Sequence, residues 1–130
     1  MKLNNWLILS AIIMALGVAM GAIGAHALKN SLNDTELNLW NKGVLYHLIH
    51  SLGLMIIYLI AKTNSQINFK WCFLLILFGI LFFSGSLYII ALNNGVFGEI
   101  ESLKKIMIPI TPLGGICFIT GWVLLAIKVK

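Results

Sequence analysis

Three histidines and one run of serines and a tyrosine are the residues of this chain whose types could do chemistry. His47 and His50 stand three apart, so on a helix they share a face. Such a pair can hold a metal or a haem, relay a proton, or give and take hydrogen bonds. His26 is the candidate third member. Ser84, Ser86 and Tyr88 follow one another in Phe83-Ser84-Gly85-Ser86-Leu87-Tyr88, Tyr46 precedes the histidine pair, and Thr111 stands before Pro112. With no acid or cysteine nearby, three histidines make an incomplete zinc site, and the metal question stays open. The Ser-Gly-Ser run lacks the G-x-S-x-G spacing and no strand precedes it, which argues against a nucleophilic serine. The plain alternative is that these side chains bond across helices to one another and to backbone carbonyls.

The surroundings decide how unusual these groups are. The chain has 130 residues, of which 60% are hydrophobic and 10% charged, where a soluble domain carries about 25% charge. Its mean hydropathy is +0.98. A soluble domain this small cannot bury that much apolar surface, so a soluble globule, a disordered chain and a disulfide-stapled scaffold are excluded. Four apolar runs, about 6–28, 44–61, 71–92 and 106–127, are each long enough to cross a ~30 Å hydrocarbon layer as a helix. None contains an acid. The expected architecture is all-α: one membrane domain, a polytopic bundle of four transmembrane helices with short loops. In the first loop, Asp34 to Asn41 is expected to form a short interfacial helix capped by Asp34 or Thr35, with Leu37 and Trp40 on the lipid surface. The first run is too long for the 7–15-residue core of a signal peptide, so it is expected to stay as a helix. Cys72 and Cys117 fall inside apolar runs without metal or redox spacing.

Threaded onto antiparallel spans, the polar groups collect on one side of the bilayer, opposite the chain ends. By the helical rise, His50 lies ~9 Å below its loop and Ser84 ~12 Å below its own. Polar residues at such depth are costly and mark function or interhelical bonding. His50 is expected to face the bundle and bond a side chain of the third span or a carbonyl of the fourth. In the first span, Gly17, Gly21 and Ala25 form a small-x-x-x-small seam, with Gly24 beside it, and Ala11, Ala15, Ala19 and Ala22 form a second strip. Small residues on both sides suggest a central helix. Pro109 and Pro112 predict a late start or a kink in the fourth span. Gly114 and Gly115 then allow another helix or a ligand to come close.

Nine lysines and no arginine face four acids, for a formal net charge of +5. The lysines sit singly at the ends of apolar runs and read as interfacial anchors, not as a nucleic-acid surface. Lys2, Lys62, Lys70, Lys128 and Lys130 fall on the side of the chain ends, and Lys29, Lys42, Lys104 and Lys105 on the other. Five against four favours cytoplasmic termini in the cell (inner) membrane.

Four blocks carry a resemblance. Gly21-Ala22-Ile23-Gly24-Ala25-His26-Ala27-Leu28, Tyr46-His47-Leu48-Ile49-His50, Phe83-Ser84-Gly85-Ser86-Leu87-Tyr88, and Pro112-Leu113-Gly114-Gly115 with Gly121-Trp122 resemble, in order and spacing, the domain of unknown function 423 family. These are small bacterial inner-membrane proteins related to transmembrane protein 256. The resemblance implies a four-helix membrane protein with no established catalytic activity, and it supplies no active-site residue. The first expectation is therefore a non-enzymatic structural or accessory component, acting with the lipid bilayer, as a homo-oligomer or within a larger complex, and without a cofactor. The alternatives are a small transporter, channel or ligand-binding protein using the one-sided polar cluster, and a haem- or quinone-binding redox component using His47 and His50.

Overall fold

Helix boundaries follow caps and breakers as much as apolar runs. In the computed structural model, which describes residues 3–130, all regular structure is helical. The expected anchor Lys2 lies outside the described residues. The first helix, α1, covers Leu3–Ala25. It ends three residues before Leu28, where the Leu28 amide turns back onto the Ile23 carbonyl (3.0 Å).

The second helix, α2, is one rod over Asp34–Thr63, so no separate interfacial helix precedes the second span. Its start is set by Asn33, not by Asp34 or Thr35. The Asn33 side chain accepts from the Glu36 amide (3.0 Å), and the Glu36 carboxylate accepts from the Asn33 amide (2.8 Å). This reciprocal capping box satisfies two end donors at once. Nothing in Asn41-Lys42-Gly43 breaks a helix so firmly started, and Trp40 is carried into the bundle, where it is 2% exposed.

The third rod runs from Lys70 to Gly95 in three pieces: α3 (Lys70–Gly79), a π turn (Ile80–Ser84) and α4 (Gly85–Gly95). The last helix, α5, covers Glu101–Lys128 and passes through both prolines without a late start. The loop before it turns on Gly98 (φ 79°) and Glu99 (φ 55°). Asn93 closes it: its carbonyl accepts from the Glu99 amide (2.9 Å), and its side-chain oxygen accepts from the Ile100 amide (3.1 Å).

Within the apolar part of each helix, 17% of residues are buried in α1, 44% in α2, 50% in the third rod and 22% in α5. The inner pair is therefore α2 and the third rod, with α1 flanking α2 and α5 flanking the third rod. The double set of small residues does not make α1 central: Ala11, Ala15, Ala19 and Ala22 are all exposed. The half near the chain ends holds the larger apolar core, around Leu54, Ile57, Phe73, Ile76 and Phe118. Lipid tails are as apolar as these side chains, so close packing and hydrogen bonds, not transfer from water, hold such helices together.

Candidate functional site

A helix carbonyl has two lone pairs, and the helix uses one. A glycine four residues on has no Cβ to cover the other, and it lets a neighbour come close. The α1–α2 seam uses this arrangement twice. His47 of α2 points its Nε2 at the Ile13 carbonyl of α1 (2.9 Å), beside Gly17, where a Cβ would lie 3.1 Å from the imidazole and 2.9 Å from Leu48. One heptad further along α1, Trp40 Nε1 donates to the Met20 carbonyl (2.8 Å), beside Gly24, where a Cβ would lie 2.5 Å from the indole. The α1 partners ascend by seven while the α2 partners descend by seven, as antiparallel helices require. Gly21 lies between the two bonds, facing Val44. Ala25, expected to extend the seam, is exposed; the spacing that meets α2 is Gly17, Gly21, Gly24.

The Ile13 carbonyl can only accept, so His47 Nε2 carries the proton and Nδ1 is the acceptor. Its donor is the hydroxyl of Tyr88 on α4 (3.2 Å). One imidazole thus ties together α4, α2 and α1. Tyr88 also packs on Trp40, with centroids 4.7 Å apart, and its ring lies where a Cβ on Gly43 would be, 2.8 Å from Cε1.

His50 does not bond the third or fourth span. Its Nδ1 donates to the Tyr46 carbonyl of its own helix (2.8 Å), the nearest free lone pair one turn back. Its ring stacks on Phe118 of α5 at 3.5 Å and lies parallel to Tyr46 at 5.7 Å. Tyr46 is at the surface but packs on Phe83 at 4.4 Å. The His50 Nε2 carries no hydrogen bond to the described residues.

On the far side of the third rod, Ser86 and Thr111 join α4 to α5 (2.7 Å), and Ser86 also donates to the Phe83 carbonyl or Thr111 to that of Met107 (3.3 Å). Ser84 lies in the π turn, fully buried, and its hydroxyl has no partner. The carbonyl four residues back, that of Ile80, accepts from the Gly85 amide. Gly114 meets the backbone of Phe83 directly, its added Cβ falling on the Phe83 nitrogen and 2.8 Å from Cα. Gly115 does not: its nearest neighbour is 3.9 Å away. His26 lies beyond the end of α1, exposed, and is not brought to the layer of His47 and His50.

Trp40, Gly43 and the π turn are parts of this layer that sequence reasoning missed. The signal for Trp40 was present: Asn33-Asp34-Thr35-Glu36 has the spacing of a capping box, which starts the helix early enough to carry Trp40 inside. Among the described residues no three His, Cys, Asp or Glu side chains group as a metal site. His47 has both nitrogens engaged, so it could ligate a metal or haem only by releasing α1 or α4. The layer's chemistry is the sharing of hydrogen bonds between helices.

The chain matches a family model described as protein of unknown function (DUF423) over residues 20–115. It is 43% identical over 122 residues to a UPF0382 membrane protein of Staphylococcus epidermidis, covering 94% of this chain and 92% of that one. It is 43% identical over 123 residues to UPF0382 membrane protein SH2409 of Staphylococcus haemolyticus, covering 95% and 93%. UPF0382 membrane protein YwdK of Bacillus subtilis is 37% identical over 123 residues, covering 94% and 93%. No solved structure matches the chain.

Proposed function

We propose, for a chain that belongs to the DUF423 family of membrane proteins, that the polar layer is a structural lock and the protein a non-enzymatic structural or accessory component of the cell membrane. The observation that carries this reading is the double engagement of His47: one nitrogen accepts from Tyr88 on α4 and the other donates to Ile13 on α1. A group kept for ligands or protons would be spared such use. As an accessory component, the protein works beside a second copy or within a larger complex. Both chain ends lie on the cytoplasmic side, a reading supported by five lysines there against four opposite.

Substitution of His47 tests the lock. Glutamine offers one donor and one acceptor, so His47→Gln should keep most of the stability in detergent. His47→Leu leaves Tyr88 without its acceptor and should lose ~0.6–1.7 kcal/mol. Equal unfolding midpoints for His47→Leu and wild type would remove the lock.

A second reading rests on His50, whose Nε2 is the free imidazole nitrogen of the pair. A haem- or quinone-binding protein would use that atom. A haem band in the absorbance of the purified protein, lost in His50→Gln, would favour it over the lock.

A further inference from the structure

The lock joins α1 to α2 but leaves α1 apart from the third rod over much of its length. Near the chain ends the two meet through the stack of Trp6 on Phe73, with centroids 4.6 Å apart. Further along, they flank an open slot of about 240 Å³. One wall is the α1 face of Ile13, Leu16 and Met20, and the other is Ile80, Leu81 and Gly85 of the third rod. His47 and Tyr88 form the floor. We propose that this slot holds one hydrocarbon chain of a membrane lipid, inserted from the leaflet on the side of the 26–33 and 96–100 connections.

Size and shape select that occupant. Ile13 to Met20 spans seven residues, or ~10 Å along the helix, and Leu81 to Tyr88 spans the same. The slot is thus long for its volume. It is also smaller than the roughly 300–1,000 Å³ of pockets that take drug-sized ligands. Chemistry selects it too. Both nitrogens of His47 and the proton of Tyr88 are engaged, so the floor has no unpaired donor. A water needs two to four polar partners and would not find them. Left empty, the walls would forfeit dispersion contacts along their length.

The slot is open where a chain could enter. Leu16 and Leu81 are each 52% exposed at its sides. A Cβ on Gly85 would meet nothing within 4 Å, so the wall is set back at that point. α1 and the third rod run in the same direction here. Ile13 and Ile80 therefore mark the end near mid-membrane, and Met20 and Tyr88 the end toward the loops. A lipid tail in this position would finish near the bilayer centre. The inference goes beyond the lock, because a filled slot and a paired His47 are separate properties.

The test is native mass spectrometry of the protein released from nanodiscs of palmitoyl-oleoyl phosphatidylglycerol. Wild type should retain one phospholipid per chain. Gly85→Phe, whose ring fills the slot from a position with open space, should lose it while keeping the helical circular dichroism and unfolding midpoint. Leu81→Trp, at the side of the slot, should lose it too, and serves if Gly85→Phe does not fold. Ile119→Phe, on the 67%-exposed position of α5, should retain it. Equal lipid retention by wild type and both slot variants, or none in wild type, overturns the proposal. So does a dimer that both slot variants dissociate, because a second copy would then be the occupant. The lock is judged separately: an unchanged unfolding midpoint in His47→Leu counts against the lock alone, whatever the slot variants retain.

Discussion

Two seams of this bundle use glycine in opposite ways. Where α1 meets α2, Gly17 and Gly24 uncover carbonyls, and the ring N–H groups of His47 and Trp40 donate into the gaps. Where α5 meets the third rod, glycines admit bulk instead. Gly114 takes the backbone of Phe83, Gly79 takes the ring of Phe118, and Gly121 takes Ile76. The first seam is directional: two bonds a heptad apart fix the register of two helices. The second depends mainly on shape, with the Ser86–Thr111 bond (2.7 Å) as its polar contact. Among lipid tails neither gains much from transfer, and a seam must have either donors facing acceptors or surfaces that fit closely.

The largest predicted effect breaks the shape seam. In Gly114→Ala the new methyl group falls on the backbone of Phe83, which cannot rotate away as a side chain can. Helix and π turn must separate, at a cost of ~3 kcal/mol, the upper part of the usual range for overpacking. The neighbouring Gly115→Ala meets only ordinary contact at 3.9 Å. It should change stability little or gain up to ~1 kcal/mol, because alanine favours the helix. Unfolding of both variants in mixed micelles measures the difference, and similar values would mean that α5 does not approach this closely.

The next effect sharpens the directional seam. Gly24→Ala puts a methyl group 2.5 Å from the Trp40 indole, a side chain that can swing aside by giving up the Met20 carbonyl. The loss should be ~1–2 kcal/mol, from the interhelical bond and the displaced ring. Trp40→Phe removes the bond without the clash and should lose ~0.6–1.7 kcal/mol. The two together should cost less than their sum, because each breaks the same bond. Full additivity in a double-mutant cycle would show that Gly24 and Trp40 act separately.

The two seams were not equally legible in the sequence. Four apolar runs made the membrane bundle plain, and the polar layer was visible because serine, tyrosine and histidine are rare at such depth. Gly17 and Gly21 were visible as a seam, but a four-residue repeat led on to Ala25, whereas the face that meets α2 continues at Gly24. Burial order was hidden: alanines look like packing residues, yet Ala11, Ala15, Ala19 and Ala22 are exposed and α1 is a flank. For Pro109 and Pro112 the local rule predicted a late start or a kink, and α5 starts at Glu101, before both. The π turn has no signature in Ile80-Leu81-Phe82-Phe83-Ser84. It lies where the Phe83 backbone meets Gly114, and only the packed pair of helices reveals that contact.

The smallest predicted effect lies at that turn and tests whether the shape seam has a chemical purpose. Over Gly17 to Gly24 the directional seam pairs its ring donors, while the π turn leaves the Ser84 hydroxyl buried without a partner. A buried hydroxyl left unpaired loses ~1–3 kcal/mol of hydrogen bonding. Ser84→Ala removes that group and leaves the packed shape almost unchanged, so it should be neutral or stabilising by up to ~1 kcal/mol. That sign separates the two seams, because removing a ring donor at Trp40 must destabilise. If Ser84→Ala instead lowers stability by more than ~0.5 kcal/mol, beyond the usual scatter of a harmless substitution, the hydroxyl has a partner and the third rod's turn bonds as well as packs. A midpoint that rises would leave the turn as a matter of fit alone, with the Ser84 hydroxyl a polar group that stability does not require.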